Sequence, residues 1–210
     1  MTEQTPHGEA VRVSLREQLG GAADPDFELV LPPGWERHEV TAAEQERMIG
    51  AMRTRLMEAH RPDLYARMRQ LVTEAFAQMR TVSTVAMFVP GESAPESALP
   101  ASLTASIQHA DAGQNLDSFV RSSIQNAGAT PLLGDKRILR MERETTETLD
   151  GDTAAVTTVV YLAPVPGSQR RRALQLTLVI MRPHDVPADD PPMLAMRALF
   201  DLCVSTLTWS

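Results

Sequence analysis

Two short stretches set histidine beside carboxylates: His109 with Asp111, and His184 with Asp185, Asp189 and Asp190. Imidazole nitrogen and carboxylate oxygen together make a donor set that divalent transition metals accept. Asp185 and Asp189 are four apart, but Pro187 between them denies the pair a rigid helical spacing, and the His109 group has none, so both read as solvated loop residues at strand ends. Arg170, Arg171 and Arg172 form the one basic cluster. Guanidinium forks suit carboxylate or phosphate, and in an extended strand Arg170 and Arg172 would project together. The alternative is that the cluster ends a hairpin and discourages edge pairing. Cys203 lies among apolar neighbours, where a thiol behaves as a small unactivated hydrophobe. Met48, Met52, Met57, Met68 and Met79 give one region an adaptable apolar surface of the kind that repacks around a partner. Met48, Met52, Met57, Arg170 and Arg172 are therefore the candidate partner surface.

No GxSxG, P-loop, GxGxxG, HExxH or CxxC motif occurs in the sequence. A non-enzymatic role is expected, with no catalytic, metal or cofactor residues assigned and no cofactor required. At 210 residues with 43% apolar and 22% charged residues, the chain has the composition of a globular protein built around one well-buried domain. Its net charge of −7 argues against general affinity for nucleic acid. Lys136 is the only lysine against many arginines and alanines, as expected of a GC-rich, actinobacterial genome. A single cysteine cannot form an intrachain disulfide. Residues 1–24 contain no apolar run of signal-peptide length, and no segment is apolar enough for a membrane span, so a cytoplasmic location is expected. The oligomeric state is left open.

The elements that must position these residues begin after a polar segment, 1–24, expected to be a flexible arm. In Phe27–Trp35, FELVLPPGW, Phe27, Leu29 and Leu31 alternate with Glu28 and Val30 as in a strand with one buried face. Pro32 and Pro33 stop that strand, and Gly34 permits the bend that turns Trp35 back onto the structure. Residues 41–80 read as a helical hairpin or a kinked long helix, capped by Thr41 with Glu44 three positions on and interrupted at His60–Asp63. Period-two runs at 82–89 and 102–109 predict strands, with Leu103, Ala105 and Ile107 inward. A helix is predicted from about Leu116 to Ala127, burying Leu116, Phe119, Val120 and Ile124 and ending at Gly128. Runs at 137–148, 153–163 and 170–182 predict an antiparallel meander with a tight turn at Asp150-Gly151. The charges Arg140, Glu142, Arg143, Glu144 and Glu147 should pair across strands on a solvent face. Asp190, Pro191 and Pro192 open a last helix carrying Leu199, Phe200, Cys203 and Leu207.

Helices must cover the apolar face of such a sheet, giving an α+β fold: an antiparallel sheet flanked by helices in an α/β/α sandwich. The FELVLPPGW opening, the helix after two strands, the meander and the terminal helix together resemble the PsbP-like superfamily, which includes the LpqN-like actinobacterial proteins. The resemblance covers residues 25–209 and makes 41–80 a helical insertion in a single domain. It implies a protein-binding or assembly module that serves as an adaptor; secretion-associated and immunity-type roles fit equally. The alternative is a small-molecule or lipid-binding domain, with an apolar pocket lined by the inward faces of 82–89, 102–109 and 170–182.

Overall fold

The Pro-Pro-Gly-Trp segment turns as its residue types require. Gly34 takes φ 78°, and the Trp35 amide donates to the Pro32 carbonyl at 3.1 Å. The computed structural model describes residues 25–91, 101–111, 113–149 and 152–210. The expected arm over 1–24 and the Asp150-Gly151 turn lie outside them.

The strand before the turn is shorter than its alternation predicts. Only Phe27–Glu28 (β1) is extended in a ladder, and it pairs with Thr208–Trp209 (β9) in a separate two-stranded sheet. The alternation itself holds, with Phe27 buried, Leu29 and Leu31 half-buried, and Glu28 and Val30 exposed. The proline pair cuts off further pairing. Trp35 does not mark where a strand leaves the sheet: it is the first residue of a new strand, Trp35–His38 (β2), that joins the main sheet beside Thr84–Pro90 (β3).

Between β2 and β3 lie two helices, Ala42–Glu58 (α1) and Pro62–Thr81 (α2). Thr41 caps α1 by accepting the Glu44 amide at 3.1 Å, and His60 at φ 55° breaks the pair. Arg80 near the end of α2 donates to Gln45 near the start of α1, so the two run antiparallel as a hairpin. The rest of the sheet is built from Ala101–His109 (β4), Thr130–Leu132 (β5), Asp135–Leu149 (β6), Asp152–Pro164 (β7) and Arg172–Pro183 (β8). Its order is β2-β3-β4-β8-β7-β6-β5, and every pairing is antiparallel. The meander β6-β7-β8 is as expected from the three β-rich runs, whereas β2, β5 and β9 are too short to show as periodic segments.

Helix Pro191–Ser205 (α4) covers one face of the sheet. Met193, Phe200 and Val204 share a core with Ala86, Phe88, Leu103, Ala105, Val159, Tyr161, Leu174, Leu176, Leu178 and Ile180. Trp35 meets Phe200 edge-on with ring centroids 4.7 Å apart. This packing fills the inward faces of β3, β4 and β8, so the apolar pocket expected there gives way to a close-packed core. Leu199, expected on the buried stripe of α4, is 39% exposed. Cys203 is buried as expected, and burial raises its thiol pKa.

The acidic and basic run of β6 meets expectation in part: Glu144 pairs with Arg182 of β8, and Arg143 and Glu147 are exposed. Arg140 and Glu142 reach α4: Arg140 donates to Asp201 at 2.8 Å, and Glu142 bonds both Arg140 and Arg197. Tyr161 donates to the same Asp201 carboxylate at 2.6 Å. Burial first, and then this bond, push the Tyr161 hydroxyl pKa far above its ordinary value. These bonds lash α4 to β6 and β7.

On the other side of the sheet, α2 meets β3 and buries Phe76, which lies outside the α4 core, so helices flank the sheet in an α+β arrangement. Helix Asp117–Asn126 (α3) follows β4, its first amide bonded to the Asn115 side chain. Its predicted apolar face is incompletely covered. Phe119 is 43% and Ile124 49% exposed, and Ser123 is the helix's buried residue.

Candidate partner-binding groove on the helical hairpin

The apolar residues of α1 recur at Met48, Met52 and Leu56, four apart, and so share one helical face. On α2, Leu64 and Met68 do the same. The antiparallel hairpin brings the two faces together above the β2-β3 edge. A groove of about 400 Å³ results, lined by these five residues with Ala51, Val89 and Pro90. Gly91 closes its floor because the chain passes hard against β2. The Gly91 amide donates to Gly34 at 2.7 Å, and a Cβ at this position would collide with the Glu36 side chain. A larger residue there requires the exposed Glu36 carboxylate to move aside.

Glu36, His38, Arg47 and Arg55 form the polar part of the lining. Glu44 organises them, accepting from Arg47 at 2.6 Å and lying 2.8 Å from the His38 ring. Hydrogen bonding from Arg47 holds the Glu44 carboxyl below its usual pKa, with burial opposing and the His38 charge assisting. The start of α1 is thus pinned to β2 by the contacts of Glu44 and Arg47 with His38, while its apolar face is left open. No residue of α1 is fully buried.

Of the candidate partner residues, the structure gathers Met48 and Met52 into the groove. Met57 lies outside its lining and is 43% exposed. Arg170 and Arg172 are elsewhere, at the β7-β8 connection, and do not project together. Arg170 sits in the turn at φ 60° and pairs with Asp117 at 3.3 Å, while Arg172 is the buried first residue of β8. Strand alternation does not reach Arg170 because β8 begins at Arg172, two residues later than predicted. The contributions of Val89, Pro90 and Gly91 were not foreseen; the signal was the Pro-Gly pair closing β3 beside a loop. Among the described residues, no three His, Cys, Asp or Glu side chains gather as metal ligands, and the His109 and His184 groups stay separate.

No family model matches the sequence, and no curated protein matches it significantly. Among solved structures, a Bacteroides thetaiotaomicron protein is similar over 88% of this chain at 10% identity and TM-score 0.42, and the chain spans 45% of that protein's length. A point mutant of the protein Mog1 is similar over 62% of this chain and 84% of its own, at 13% identity and TM-score 0.38. The Saccharomyces cerevisiae Ran-binding protein Mog1p is similar over 59% of this chain and 77% of its own, at 12% identity and TM-score 0.29. At these scores the overlays are partial likenesses of shape. Among the described residues, no helix is long and apolar enough to cross a membrane.

Proposed function

We propose that the chain is a non-enzymatic protein-binding module that takes an apolar segment of its partner into the groove between α1, α2 and the β2-β3 edge. The observation that carries this reading is the open face of α1, whose Met48, Met52 and Leu56 remain only half-buried in the folded chain. An apolar face kept in water gains free energy when it is covered, about 25 cal/mol for each Å² removed from solvent. Methionine supplies that face with side chains that adapt to the shape of what covers them.

The adaptor role and the PsbP-like, LpqN-related ancestry belong to the same proposal, supported by the FELVLPPGW opening and the order of elements. A cytoplasmic location and an actinobacterial source complete it; cell fractionation and the genes adjacent to the coding sequence test these and separate secretion-associated from immunity-type roles. A second reading places a small apolar molecule in the groove, because about 400 Å³ falls within the range of small-ligand sites.

The test is photo-crosslinking from position 52 in cells of the native organism, with and without Met48→Asp. A specific protein adduct lost in the variant, at unchanged melting temperature, supports the protein-binding reading. An adduct that persists at full yield sinks it. Co-purification of an apolar small molecule released only from the unsubstituted protein favours the second reading.

A further inference from the structure

Eight residues along β4 from Ala101, about 25 Å at the rise of a strand, a second recess has opposite chemistry. His109 ends β4 directly across from Arg172 on β8, which places both side chains on one face. The β7-β8 connection folds over them. Its backbone is locked by bonds from Ala110 to the Arg171 carbonyl and from Leu116 to the Arg170 carbonyl, both 2.8 Å, and from Arg171 to the Ser168 carbonyl at 3.0 Å. Gln169 and Arg170 occupy the left-handed region at φ 53° and 60°, a costly conformation for two consecutive non-glycine residues and one that concentrates at ligand sites.

The cleft so formed, about 480 Å³, is lined by His109, Ala110, Gly167, Ser168, Gln169, Arg171 and Arg172. Two guanidinium groups and an imidazole share it with no carboxylate, on a chain of net charge −7. A neighbouring recess of about 630 Å³ shares Gln169 and Arg171 and adds Arg121. The one acid lining that recess, Asp117, pairs with Arg170. Among the described residues, the Arg121 and Arg171 side chains have no hydrogen-bond or ion-pair partner. The Arg171 fork, shared by both recesses and set in a preformed polar cleft beside Gln169, Ser168 and His109, matches the geometry of a multivalent oxyanion, and phosphate accepts more of these donors than a carboxylate does.

We infer that this cleft binds a phosphate group, either free phosphate or the head of a phosphate ester. Arg171 is the principal contact, the buried Arg172 supplies fixed positive charge from below, and Gln169 and His109 orient the anion. The site is independent of the methionine-lined groove, and each can fail without the other.

The experiment is an amide-shift titration of the full chain with inorganic phosphate, then with glycerol phosphate, and with acetate as the carboxylate comparison. Saturable shifts at Ala110, Gln169 and Arg171 are expected with both phosphates, and at least tenfold weaker binding with acetate. Arg171→Ala should weaken phosphate about tenfold. Arg171→Lys, which keeps the charge and loses the fork, should weaken it less. Arg53→Ala, on the exposed surface of α1, should change affinity less than twofold. A tighter complex with glycerol phosphate assigns the site to esters, and a tighter complex with inorganic phosphate assigns it to the free anion. Non-saturating shifts, or equal affinity in Arg171→Ala and the unsubstituted chain, overturn the inference. So does a loss in Arg53→Ala as large as that in Arg171→Ala.

Discussion

Helix α4 and the α1-α2 hairpin both carry apolar residues at helical spacing, yet the fold treats them in opposite ways. In its 15 residues α4 buries Met193, Phe200, Cys203 and Val204, whereas α1 in 17 residues buries none and α2 in 20 buries only Phe76. The difference lies in what each meets. Helix α4 lies across a sheet face of leucine, isoleucine and aromatic side chains and is tied down by Arg140, Tyr161 and Glu142 through Asp201 and Arg197. The hairpin meets the sheet at β3, near its β2-β3 edge, and keeps its methionines partly in water. Periodicity shows that a helix has an apolar face; it does not show whether the chain itself provides the cover.

If the comparison is right, substitutions in the two regions separate stability from binding. The largest expected effect is at Phe200, whose replacement by alanine removes a fully buried ring from against Trp35. Phe200→Ala should cost about 3–5 kcal/mol in a urea denaturation curve, and Trp35→Ala about 3 kcal/mol. Losses below about 1 kcal/mol at either site would show that α4 is no more essential to the core than the hairpin is. Asp201→Ala should cost about 2 kcal/mol by stranding the Tyr161 hydroxyl and removing one of the two carboxylates that hold Arg140. A stability equal to that of the unsubstituted chain would mean that packing alone holds α4.

Acid should act on the same attachment. Burial alone would raise the Glu142 carboxyl, but hydrogen bonds from Arg140 and Arg197 overcome it and hold the pKa below the ordinary value of 4.5. A carboxyl depressed in the folded state contributes stability that is present above its unfolded pKa and is lost as pH falls through the folded value. Stability should therefore decline below about pH 4.5, and Glu142→Gln should flatten that decline; identical acid limbs in thermal melts at stepped pH would remove Glu142 from the account. The smallest effect on folding is expected in the hairpin. Met57→Ser should change stability by less than about 0.5 kcal/mol. A loss above about 1.5 kcal/mol would place Met57 in a packed interface within the chain.

The sheet was legible wherever a strand was long enough to show its period. β3, β4 and the three strands of the meander stand close to their predicted positions, and the hairpin break at His60–Asp63 follows from local proline chemistry. Two- to four-residue strands left no periodic trace: Trp35–His38 and Thr208–Trp209 are defined by what they pair with, across more than a hundred residues in the case of β1 and β9. The exposure of Phe119, Ile124 and Leu199 was unreadable for a related reason, since a helical stripe can be wider than the surface that receives it. In the groove, Met48, Met52 and Met68 come together from the two helices their spacing predicts, whereas Met57 lies outside the lining. The floor of the groove was hidden because Val89, Pro90 and Gly91 become lining only when β3 runs beside β2. In the arginine cluster, the left-handed turn at Gln169 and Arg170 shifts the start of β8 to Arg172, which leaves Arg170 and Arg171 outside the strand and its alternation.

The β1-β9 ribbon gives the molecule a defined mechanical weak point. Phe27 pairs with Trp209, the Ser210 amide bonds the Asp26 carbonyl at 2.9 Å, and both segments leave the ladder at the same end. Tension applied through residues 25 and 210 therefore peels this ribbon open one hydrogen bond at a time, because the load acts across the ladder and not along it. Arg37 of β2 shares that load, because it bonds both the Phe27 carbonyl and the Asp26 carboxylate. Phe27, held edge-on between Phe88 and Trp209, sets the point at which the ribbon yields.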